Sequence, residues 1–97
     1  MTQQTMKDTF LKAYDAHVDD IFAYCYKETA HKEVAKYLTK NVFADVWDTI
    51  VYYGVESIHN MKRLIYRTAK DHIRNFSTDK NNQRIYYNNL WNLTLSQ

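Results

Sequence analysis

Apolar residues recur three and four positions apart along most of this chain, the period of amphipathic helices. Phe10, Tyr14, Val18, Ile21, Phe22 and Cys25 form one such stripe and predict a first helix over about residues 5–26. Asp15, Asp19 and Asp20 fall largely off the stripe, toward water. A second row, Ala35, Leu38, Val42, Val46 and Ile50, predicts a helix over about 31–50, with Phe43 and Trp47 widening one flank. The opposite side of that helix carries Lys36, Lys40 and Asn41, and Thr29 is the expected N-cap. A third row, Ile58, Met61, Ile65, Ala69, Ile73 and Phe76, predicts a helix over about 58–76, with Leu64 and Tyr66 at its edges and Ser57 as N-cap. Between the second and third helices stands Gly54, which can adopt positive φ at no steric cost and so turn the chain sharply.

Beyond Phe76 the pattern weakens. "STDKNNQR" is polar and turn-like. In "IYYNNLWNLTLSQ", Tyr86, Leu90 and Leu93 suit a short helix, whereas Trp91, Leu93 and Leu95 alternate as a strand would. The favoured expectation is a short fourth helix packing Trp91 on the domain. The chain thus reads as all-α: a compact bundle of three main helices over 1–76, then a polar linker and tail over 77–97. Its 97 residues suit one small domain with one core. The absence of proline and the single glycine argue against a turn-rich β fold.

No apolar run approaches the ~20 residues of a membrane span, and "MTQQTMKDTF" has no apolar signal-peptide core. The lone Cys25 has no partner for an internal disulfide, which suits a reducing compartment. It reads as a small core residue, in a protein expected to be cytoplasmic.

Net charge is only +2, but it is unevenly spread. Arg63, Arg67, Lys70 and Arg74 stand at i, i+4, i+7 and i+11 on one face of the third helix, with Asp71 one step aside. Spacing alone fits a solvated helix face or a phosphate-tracking surface. Tyr52 and Tyr53, on the turn before that helix, add aromatic faces on which a base can stack, worth roughly 1–3 kcal/mol per base. With nine tyrosines in the chain, either one alone fits core-edge packing equally well. Basic face and aromatic turn together suggest single-stranded nucleic acid. Catalytic signals are poor. His17, His31, His59 and His72 are scattered without metal-ligand spacing, and no phosphate loop or nucleophile elbow occurs. No enzymatic activity, metal or cofactor is expected.

"VAKYLTKNVFADVW", Val34 to Trp47, resembles the most typical helix of bacterial sigma factors of the sigma-70 family, especially the small extracytoplasmic-function group. That group commonly reads A-E-D-L-T-Q-E-V-F-L-x-x-W there, and Ala35, Leu38, Thr39, Val42, Phe43 and Trp47 match. The family's W-L-Y-R-I-A-R-N corresponds to Leu64 through Asp71, and "FLKAYDAHVDDIFAYCY" resembles the family's opening helix. The resemblance covers roughly residues 7–76 and implies the helical domain called region two. It implies that Lys36, Tyr37, Lys40 and Asn41 dock on the clamp coiled coil of the largest subunit of core RNA polymerase. It further implies that Tyr52, Tyr53, Arg63, Tyr66, Arg67, Lys70, Asp71 and Arg74 bind the −10 promoter element, capture a flipped base and hold the melted strand. An anti-sigma factor is a further implied partner.

Some positions depart from the family. Lys36-Tyr37 replaces its Glu-Asp, Lys40-Asn41 its Gln-Glu, and Asp71 its asparagine. Lysines facing an arginine-rich clamp bring like charges together, which costs affinity. The helix-turn-helix domain that a complete sigma factor places on the −35 element is not expected within 97 residues. The alternative reading is a degenerate sigma-like helical module that binds DNA or a regulatory protein without acting as a full sigma factor.

Overall fold

From Gln3 to Tyr53 neither proline nor glycine interrupts the chain, so the helices end only where local hydrogen bonding or an unusual backbone angle stops them. The computed structural model describes residues 3–78. They form an all-α bundle: α1 (Gln3–Thr29), α2 (Lys32–Tyr53), a 3₁₀ turn (Val55–Ser57) and α3 (Met61–Thr78). Each of the three expected helices is present. The third helix continues to Thr78, two residues past its expected end. The rest of the expected tail, including the short helix with Trp91, lies outside the described residues.

The junctions differ from expectation in their caps. Ala30 takes φ 56°, the left-handed region, and its N–H donates to the Tyr26 carbonyl at 2.7 Å. This is the single-bond left-handed helix end, made by an alanine where glycine is usual. The N-cap of α2 is then His31, not Thr29: His31 Nδ1 accepts from the Val34 N–H at 3.3 Å. Thr29 is still helical, and its hydroxyl donates back to the Cys25 carbonyl at 2.8 Å. Likewise α3 is capped by Asn60, whose Oδ1 accepts from the Arg63 N–H at 3.0 Å. Ser57 instead belongs to the 3₁₀ turn and donates to the Gly54 carbonyl at 2.8 Å. Gly54 does make the sharp turn, at φ 85° and ψ 150°. A Cβ there would lie 2.8 Å from the Glu56 carboxylate.

The core is built around α2. Of thirteen buried apolar residues among those described, seven come from α2: Val34, Ala35, Leu38, Val42, Phe43, Val46 and Ile50. That share makes α2 the element against which both others pack. From α3 come Ile65, Ala69 and Ile73. Each isoleucine fully withdrawn from water, such as Ile21, Ile50 and Ile65, contributes roughly 1.5–3 kcal/mol.

The α1 stripe is only partly buried. Ile21, Cys25 and Ala13 are in the core, whereas Phe10, Val18 and Phe22 are half-buried and Tyr14 is 38% exposed. A helix of this length outruns the surface its two partners cover, and its N-terminal half keeps apolar side chains in reach of solvent.

Candidate functional site

Arg63, Arg67, Lys70 and Arg74 all project to solvent from the face of α3 opposite Ile65, Ala69 and Ile73. At 3.6 residues per turn the four lie within about 60° of one another. Asp71 is the one acid on α3 and is also exposed.

Tyr52 and Tyr53 are the last two residues of α2, not part of the turn. They are 81% and 66% exposed, which excludes a core-edge role for either. Their rings meet edge to face, with centroids 4.7 Å apart. Only Tyr53 also reaches the basic side. Tyr53 lines an open recess of about 530 Å³ where the end of α2, the turn and the start of α3 converge. Ile58 and Leu64 supply apolar wall there, and Arg63 and Arg67 supply guanidinium groups. The site thus combines an exposed ring, an apolar wall and two cations within one opening. Such a set can receive a planar base and hold its phosphates. Tyr52 does not line this recess; both tyrosines border a second one beside Trp47 and Val51.

Other sequence candidates go elsewhere. Tyr66 turns toward α1, its ring centroid 6.1 Å from Tyr24 and 6.5 Å from His17. Lys62 Nζ stands 6.0 Å from the centre of the Tyr66 ring. Asp71 borders a separate polar recess with Asp45, Asp48 and His72. In that recess His72 Nε2–H donates to Asp45 Oδ2 at 2.5 Å, tying α3 to α2. The pairing spans 27 positions of sequence, and no local spacing signals it. Among the described residues no group of His, Cys, Asp and Glu side chains could hold a metal ion.

The four residues implied to meet polymerase are split. The sequence pattern sets Lys36 and Lys40 opposite the apolar side of α2, but they line the same groove as Phe43 and Trp47. Lys40 and Trp47 are seven residues apart, close to two full turns, and therefore share a side. Tyr37 is 43% exposed and, with the half-buried Asn41, lies outside that groove. Lys36 also approaches Glu33, one turn earlier, at 3.6 Å.

Cys25 is fully buried. Burial pushes its thiol upward, and a hydrogen bond with the Thr39 side chain pulls it partly back. A neutral, inaccessible thiol is a poor nucleophile, which leaves it a packing role.

No family model matches the chain, and no curated protein or solved structure matches it either. No helix among the described residues is long and apolar enough to cross a membrane.

Proposed function

We propose that this domain is a DNA-binding transcription initiation module of the sigma region-two kind, which holds single-stranded promoter DNA of the −10 type and acts together with core RNA polymerase. The observation that carries the reading is the recess in which Tyr53 stands beside Arg63 and Arg67, continuous along α3 with Lys70. The ring offers stacking, the cations offer phosphate contacts, and the pairing favours an unpaired strand over a duplex. The resemblance of Val34–Trp47 and of Leu64–Asp71 to the sigma family supports the same conclusion. The domain does no covalent chemistry in this reading; its contribution is strand capture.

The test is an A/T-rich single strand carrying 2-aminopurine, titrated with wild type, Tyr53→Ala and Tyr52→Ala. Stacking in the recess predicts fluorescence quenching that Tyr53→Ala abolishes, with affinity falling about 5- to 160-fold. Tyr52→Ala should lose less, because Tyr52 stands outside the recess. Equal quenching by wild type and Tyr53→Ala would remove the basis for the proposal. Docking on polymerase is tested by retention on core enzyme from the same organism. Loss of retention in Lys36→Glu/Lys40→Glu makes the two lysines contacts adapted to that polymerase. No retention of wild type, with binding gained by the double variant, favours the second reading, a sigma-like module that no longer serves as a full sigma factor. The sign change at Lys36 and Lys40 is the observation behind that second reading.

A further inference from the structure

A second concavity among the described residues lies away from the basic face. It is an open groove of about 910 Å³ between α1 and α2, on the side where the α1 stripe fails to be covered. Phe10, Tyr14 and Phe22 from α1 face Phe43 and Trp47 from α2 across it. The aromatic rings form a packed cluster, Phe10 to Trp47 at 5.2 Å and Tyr14 to Phe43 at 4.9 Å between centroids. Yet Leu11 and Tyr14 remain 44% and 38% exposed at its edge. From Lys7 to Phe22 the α1 wall is sixteen residues long, about 24 Å at 1.5 Å per residue. A strip of that length and openness matches one side of a four-turn helix better than it matches a small molecule.

The rim selects the sign of the occupant. Lys7, Lys36 and Lys40 border the groove against the single acid Asp19. Glu33 beside Lys36 offsets only part of that excess, since an exposed pair at this distance is weak. The chain's own residues 79–97 have the wrong charge to be that occupant: Lys80 and Arg84 outnumber Asp79.

We infer that the α1–α2 groove is a docking site for an acidic amphipathic helix of a partner protein, with apolar side chains seated on the Phe10–Trp47 cluster and carboxylates meeting Lys7, Lys36 and Lys40. The apolar contact supplies affinity, and the lysine rim sets orientation and rejects basic helices. The inference goes beyond the nucleic-acid reading and does not depend on it, since neither Tyr53 nor the α3 cations border the groove; it shares Lys36 and Lys40 with the polymerase-docking test.

The experiment uses the full chain carrying Trp91→Phe, so that Trp47 is its sole tryptophan reporter. The probes are two synthetic helical peptides of about sixteen residues with leucines at i, i+3/i+4 and i+7, one flanked by glutamates and one by lysines. The glutamate peptide should shift Trp47 emission and bind at least about tenfold tighter than the lysine peptide. Lys36→Glu/Lys40→Glu should reverse that preference, and Leu11→Glu, at a half-exposed position that leaves the core intact, should abolish binding of the glutamate peptide. Equal binding of the two peptides, binding of neither, or a preference untouched by the lysine reversal overturns the inference. So does sedimentation showing a dimer that Leu11→Glu dissolves, because a second copy would then be the occupant. Single-strand DNA binding, measured in parallel, should be unaffected by Leu11→Glu, so failure of one reading is distinguishable from failure of the other.

Discussion

Replacing Arg63, Arg67 and Lys70 together by glutamine tests whether the exposed face of α3 tracks phosphates. The three side chains project to solvent from one side of the helix and are held there by a core through Ile65, Ala69 and Ile73 that the substitutions do not touch. Each cation that neutralises a phosphate of a single strand releases counterions, and log K falls with log salt by about 0.7 per contact. Three contacts amount to a slope of about 2, so between about 50 and 200 mM salt the wild type should lose roughly 20-fold more affinity than the triple variant. Stability should not be the cause of any difference. Like charges three and four positions apart repel by a few tenths of a kcal/mol per pair, so the variant should melt at or slightly above the wild type. The assay is fluorescence anisotropy of a labelled A/T-rich strand over a salt series, with circular dichroism melting as the folding control. Parallel salt slopes for wild type and a fully folded triple variant would refute the reasoning and return the face to plain solvation.

Three further outcomes follow from the geometry. Ala30→Gly should stabilise the domain by about 0.5–1 kcal/mol, because Ala30 is held at φ 56° where a Cβ is unfavourable; a lower urea midpoint would contradict this. A double-mutant cycle on Asp45→Ala and His72→Ala should give a coupling of at most about 1 kcal/mol, since both side chains are partly exposed, at 55% and 26%. A larger coupling would mean the α2–α3 clasp is effectively desolvated. Cys25 should react with a thiol reagent only as fast as the core opens, and rapid labelling in native buffer would contradict its burial. Because burial raises the folded thiol's pKa, the unfolded chain ionises first as pH rises. Stability should therefore be intact below the thiol's ordinary range and fall through it, as read by urea midpoints in alkaline buffers.

The helices were legible because their signals are local. The α2 row of Ala35, Leu38, Val42, Val46 and Ile50 reads as one buried face, and it is buried. The caps were less legible, because several polar residues compete within a few positions. Thr29 and Ser57 have the chemistry of N-caps, but the left-handed Ala30 and the 3₁₀ turn move the helix starts to positions where His31 and Asn60 do the capping. At the candidate site, the basic face of α3 follows from spacing alone. The separation of Tyr53 from Tyr52, and of Tyr66 from the cations, does not. Consecutive residues on a helix differ by about 100°, and which of them borders a recess depends on where the neighbouring elements end.

The sequence by itself determined that residues 3–78 make three amphipathic helices, with one buried row on α2 and one basic face on α3. Periodicity is written residue by residue and needs no partner to be read. Only the tertiary structure decided how much of each apolar stripe a neighbour covers. It closed α2 on both sides, left the N-terminal half of α1 open as a groove with Lys36 and Lys40 on its rim, and brought Asp45 to His72. Packing of rigid helices fixes which surfaces meet, and residues distant in sequence have no spacing that announces the meeting.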